Sequence, residues 1–159
     1  MTQYTHTLTS SGLTTATTAY TSGDVLGAEM NFQLQTGNVA TRMVQGYFQG
    51  AVIIDKAAVI AATGIDLFIF NAASTPAADN APNSWADADM ANCVAVLSAS
   101  TIYGSANNKV ITWASPGAGD GVPFRSETGK LWVVAVTRSG HTFFGAATDL
   151  IYKLYIDVE

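Results

Sequence analysis

Cysteine is nearly absent from this chain. With Cys93 alone, no internal disulfide can form and no cysteine-based zinc site can be assembled. Charge is scarce as well. Asp, Glu, Lys and Arg make up 12% of the residues, about half of the usual ~25%. The seven Lys and Arg are scattered and outnumbered by twelve Asp and Glu, for a net charge of −5. A nucleic-acid backbone is bound by clustered cations, so no nucleic-acid partner is expected. No apolar run reaches the ~18–20 residues of a membrane helix. The start, MTQYTHTLTSSGLTT, has neither the basic nor the apolar region of a signal peptide. A soluble protein made in a cytoplasm, with no membrane partner, is the expectation.

What is present is apolar content in short pieces. Hydrophobic residues make up 48% of the chain, and mean hydropathy is +0.23. A length of 159 residues suits one domain, 1–159. Such a domain buries roughly 68–70% of its unfolded surface and needs no disulfide. A chain with so few charges points to surface hidden against other molecules, copies of itself among them.

Period-two alternation recurs along the chain. Tyr4, His6 and Leu8 alternate with Gln3, Thr5 and Thr7, as in a half-buried strand. The same Thr-rich composition suits an extended N-terminal arm over 1–15, placed to pair with a neighbouring subunit. Met30, Phe32 and Leu34 form a second alternating set. In the long run from Arg42 to Asp55, Val44, Phe48, Val52 and Ile54 share one parity. Gly46 and Gly50 interrupt that face, which signals a bulge or a close backbone approach. Residues 56–64 (KAAVIAATG) suit a short helical turn or an irregular crossover. Residues 65–70 and 131–136 are apolar on both parities, as in central strands covered on both sides. Residues 94–97 and 110–113 are short strands, 103–108 reads as a turn, and 150–158 alternates most clearly of all. Ser84 suits a helix N-cap with Asp87 in the capping-box place, and Ala86, Met90 and Cys93 then share one helical face. Eight strands, short turns and one short helix predict an all-β, antiparallel β-sandwich of jelly-roll type.

No constellation carries chemistry. Asp79, Asp87 and Asp89 cluster, and Asp-x-Asp suits a hard cation. The EF-hand pattern is absent, however, and first-turn acids serve the helix dipole. Ser139, His141 and Asp149 are the residue types of a nucleophilic triad, without a G-x-S-x-G elbow. The glycines of residues 115–121 (SPGAGDG) match neither a phosphate-binding loop nor a dinucleotide fingerprint. Trp85, Trp113 and Trp132 suit either core filling or a sugar-stacking platform. Asp66 and Arg138 are polar exceptions beside apolar strands and are candidates to pair, as is Arg42 with a carboxylate. No catalytic residue, metal ligand or cofactor is expected.

Three blocks resemble a family of tailed-phage virion structural proteins, small β-domains of the head. Residues 20–32 (YTSGDVLGAEMNF) are similar to the family's Tyr-x-x-Gly-Asp-Val-Ile/Leu-Gly opening. In residues 65–97 a strand ending in Phe70-Asn71 precedes a Pro-containing loop, an Asp-Asn and Ala-Asp-Ala-Asp; the family tends to have Phe-Asp at that strand end. Residues 122–158 carry GVPF, a Leu-Trp strand and VTRSGHTFFGAATDLIYKLYI. The resemblance implies a non-enzymatic decoration or cement protein on the outside of the capsid, assembled in the host cytoplasm. Its implied partners are the major capsid protein and its own copies, with a trimer favoured. Alternative roles are a tail, neck or fibre component and a carbohydrate-binding module. The candidate contact residues are Thr5 and Thr7 in the arm, with Pro76, Asp79, Asn80 and Pro82 in the exposed loop 72–83.

Overall fold

Alternation in the sequence becomes two antiparallel sheets in the computed structural model, which describes residues 2–9, 16–34, 43–60, 64–98, 101–114, 121–140 and 149–158, with backbone alone for 2–9 and 114. The larger sheet runs in the order β1 (Thr2–Thr9), β10 (Leu150–Val158), β3 (Val44–Asp55), β7 (Lys109–Ala114) and β6 (Thr101–Gly104). A further strand, β8 (Val122–Ser126), pairs with the first part of β3. The smaller sheet runs β2 (Met30–Gln33), β9 (Lys130–Thr137), β4 (Ile65–Phe70) and β5 (Cys93–Ser98). Without β6 and β8, the orders β1-β10-β3-β7 and β2-β9-β4-β5 interleave as in a jelly roll. The eight expected strands correspond to these eight. The N-terminal run is a strand, paired from Thr2 opposite Val158 to Thr9 opposite Ile151.

The main core lies between the sheets. Phe32, Phe48, Ile53, Leu67, Ile69, Ile111, Leu131, Tyr152, Leu154 and Ile156 are buried there. Strand β3 corrects the expected parity. Val44 and Phe48 face inward, but Gln49 is an extra residue, because Gly50 pairs with Tyr155 and Phe48 with Ile156. A one-residue bulge exchanges the two faces of a strand. Ala51, Ile53 and Asp55 are therefore buried, and Val52 and Ile54 are only half-buried. Gly46 is the close approach: a Cβ there would lie 2.0 Å from the Asp157 carbonyl oxygen.

Three other expectations are corrected, while residues 56–60 follow the irregular alternative and open with a turn at 56–57. The buried Asp55 carboxylate organises it, accepting the Ala57 N–H at 2.9 Å and the Ile60 N–H at 2.8 Å. Helix α1 (Asp87–Met90) is one turn long, with Ala86 at its N-cap and no side-chain cap, so Ser84 plays no capping part. Cys93 opens β5 and is not on the helix. Residues 101–104 form β6, and the turn is confined to 105–108, where Ser105 N–H donates to the Asn108 carbonyl at 2.8 Å.

Gly46→Ala should lower stability by about 1–3 kcal/mol, because the clash is with backbone and β10 must move. Thermal denaturation followed by circular dichroism checks this; an unchanged midpoint would mean that the β3–β10 pairing adjusts freely.

Candidate interaction surface

Strands β4 and β9 are apolar on both sides, so the smaller sheet needs a second cover. On its outer face Val25, Phe70, Trp132, Val134 and Val136 are buried, with Phe68, Ala77, Trp85 and Cys93 against them. Residues 20–27 and the loop 71–86 supply the cover. The two segments are joined through their backbones. Val25 N–H donates to Ala81 O at 2.9 Å, Asn80 N–H to Val25 O at 2.9 Å, and Asn83 N–H to Gly23 O at 2.8 Å. Asp24 and Pro82 form an isolated bridge.

Carboxylates fasten this cover from within. Asp79 Oδ1 accepts the Tyr20 hydroxyl at 2.9 Å and the Gly27 N–H at 2.8 Å. Glu29 Oε1 accepts both the N–H and the hydroxyl of Ser74, at 2.7 and 2.6 Å. The buried Asp24 takes the Thr21 N–H at 2.6 Å and the Thr21 hydroxyl at 2.8 Å. Burial pushes the Tyr20 phenol well above its ordinary value of 10.0, and the bond to Asp79 adds to the effect. Tyr20 therefore stays protonated and remains a donor.

The loop residues singled out from sequence come together here. Asp79, Asn80 and Pro82 lie in one turn against residues 18–27, and Pro76 is half-buried. Asp79 points inward as a latch, and Asn80, at a left-handed φ of +59°, donates to Thr18 Oγ1 at 2.7 Å. Pro82 alone of the four is exposed. Thr5 and Thr7 lie elsewhere, in β1 opposite Tyr155 and Lys153; their side chains are outside the described residues.

The remaining candidates disperse. Asp87 and Asp89 occupy the single turn of α1, and Asp89 Oδ2 accepts the Thr75 N–H at 3.3 Å. Among the described residues no three His, Cys, Asp or Glu groups are placed to hold a metal. His141 and Arg42 lie outside the described residues. Arg138 Nε is 3.5 Å from Asp66 Oδ1 at a partly exposed site, a pair worth about 0–1 kcal/mol. The tryptophans form no common platform. Trp113 lies in the main core and Trp132 in the outer one, while Trp85 tilts over Phe68 and Phe70 at 5.7 and 5.0 Å. The Cys93 thiol is half-buried, and burial raises its pKa.

A different surface stands out. Among the described residues β5 pairs only with β4, and β6 only with β7, so each is a sheet edge. Only residues 99–100 separate them. Between Asp89 and Lys109 the chain has no charged residue. Val96 on β5 is 46% exposed, and Tyr103 on β6 is 65% exposed. Edge strands of monomers are commonly blunted by charge or proline; these have neither. Sequence reading by local pattern missed this edge, although the charge-free run from 90 to 108 was in plain view. No family model, curated protein or solved structure matches the chain.

Asp79→Ala removes the acceptor for two buried donors and should cost about 2–4 kcal/mol. A lower thermal midpoint, with Trp85 fluorescence shifted toward that of exposed indole, is the expected result. An independent check is alkaline titration. A phenol whose folded pKa is raised leaves stability level below its ordinary 10.0 and lost as pH rises past it. Tyr20→Phe should therefore flatten the alkaline fall in melting temperature relative to wild type.

Proposed function

We propose that this chain is a non-enzymatic structural protein that works through protein–protein contacts, and that it decorates the outside of a tailed-phage head shell. The observation that carries the first part is the open, charge-free β5–β6 edge with Val96 and Tyr103 exposed. On a free monomer such an edge invites aggregation, and a partner that covers it removes the hazard. The three sequence blocks that resemble phage head proteins support the second part. The jelly roll is compatible with it, since that fold serves capsid and lectin domains alike, and fold alone assigns no function. Its partner on the particle is the major capsid protein. Many copies of a modest contact hold together by avidity.

Particles lacking this protein should release DNA at a lower temperature and after milder osmotic shock than complete particles, with resistance restored on adding the purified chain. Equal resistance of the two would sink the cementing role. Cryo-electron microscopy should place its density on the head; density on the tail or neck would transfer the reading to that part of the virion.

A further inference from the structure

We infer that the β5 edge is covered by a second copy of this chain, joined about a two-fold axis with β5 antiparallel to β5 of the copy. The inference deepens the structural reading above and rests on its assignment of this edge as a contact surface. Three observations carry it.

The first is charge. The chain carries −5 overall, so most contacts between identical copies set like charges near one another. Residues 90–108 carry none, so two copies meeting there oppose no charges of β5 or β6 themselves, with Arg125 of β8 beside Val94 at one end of β5.

The second is strand direction. Neighbours in the larger sheet are antiparallel throughout β1-β10-β3-β7-β6, so β1 and β6 run the same way. Joining the two ends of that sheet head-to-tail, β1 of one copy onto β6 of the next, therefore makes a parallel pair. Pairing β5 with itself about a two-fold makes an antiparallel one. Antiparallel pairs form the slightly stronger ladder, and two-fold dimers are the commonest symmetric assembly.

The third is the side-chain pattern. Leu97 on β5 is buried in the main core, with Ala95 packed against that core, whereas Val96, opposite Phe68, lies on the other face. Directly opposed residues in an antiparallel pair share a face. A two-fold centred on Val96 satisfies this from Ala95 to Leu97, and the bulge at Val94, which packs against the main core, ends the matched stretch. Val96 meets Val96 of the copy, and Ala95 meets Leu97. The first pair extends the outer apolar cluster around Phe68 and Trp85, and the second extends the main core across the interface.

Size-exclusion chromatography with light scattering at tens of micromolar should give twice the chain mass of 16.6 kDa. Val96→Lys places two ammonium groups opposite each other at the axis. It should give the single-chain mass with the far-ultraviolet circular dichroism spectrum of the wild type, because Val96 is exposed within one chain, and with the lower, concentration-independent thermal midpoint of a monomer. In a Cys93→Ser background, Val96→Cys should oxidise to a disulfide-linked dimer, and Met90→Cys should not. Monomeric or trimeric wild-type protein, or a dimer whose mass Val96→Lys leaves unchanged, overturns the inference. None of these outcomes bears on the particle assay: a monomer that still restores particle resistance would leave the capsid role standing, and a dimer that fails to restore it would leave this interface standing.

Discussion

Coverage of β4 and β9 on both faces is the requirement that orders the rest of the molecule. Every residue of β9 from Leu131 to Thr137 is buried. The larger sheet covers one face with ordinary sandwich packing. A loop without regular structure covers the other, and a loop cannot be buried unless its backbone groups find partners. Residues 20–27 meet that need by running alongside 79–83 as an irregular ladder. The latch between Tyr20 and Asp79 fixes the two segments to each other. The region that looked most like a surface appendage is thus a lid on a second, smaller core.

Acidic residues serve this construction from inside. Asp24, Asp55, Asp79 and Glu29 each direct a carboxylate at N–H or hydroxyl groups of the same chain. Bonds to a charged acceptor are stronger than neutral ones, which suits carboxylates that pin turns where no helix or ladder does so. A chain with few charges that commits several of them internally leaves parts of its surface bare. The β5–β6 edge is such a part. Carboxylates turned inward and an edge without charge are two aspects of one composition.

Local pattern made the eight jelly-roll strands legible, because a sandwich writes its inside and outside as a period of two. Leu150 to Val158 is the plainest case. Where the structure departs from that reading, a non-local cause is visible. The β3 faces exchange at Gln49 because the bulge is defined by its partner β10, not by the β3 sequence. Strand β8 contains Pro123, which a propensity reading removes from sheets, yet it pairs with β3 from Val44 to Phe48. Strand β6 is four residues long and runs straight into a turn-rich segment. Asp79 read as exposed because its partners, Tyr20 and Gly27, are far away in sequence. The β5 and β6 edges were the least legible feature of all, since an edge is a property of the whole strand order.

The pairing of Thr2 with Val158 has a consequence for the order of events during synthesis. Strand β1 emerges first, but its described partner, β10, emerges last. The smaller sheet is in a different position, since β2, β4, β5 and β9 are all translated before β10 begins. At about 5–20 residues per second the interval is on the order of ten seconds or more. Throughout it the uncharged N-terminal segment waits unpaired, and a crowded polysome holds many such segments side by side. The Thr-rich, sparsely apolar composition of β1 suits a strand that stays in water until the closing strand is made.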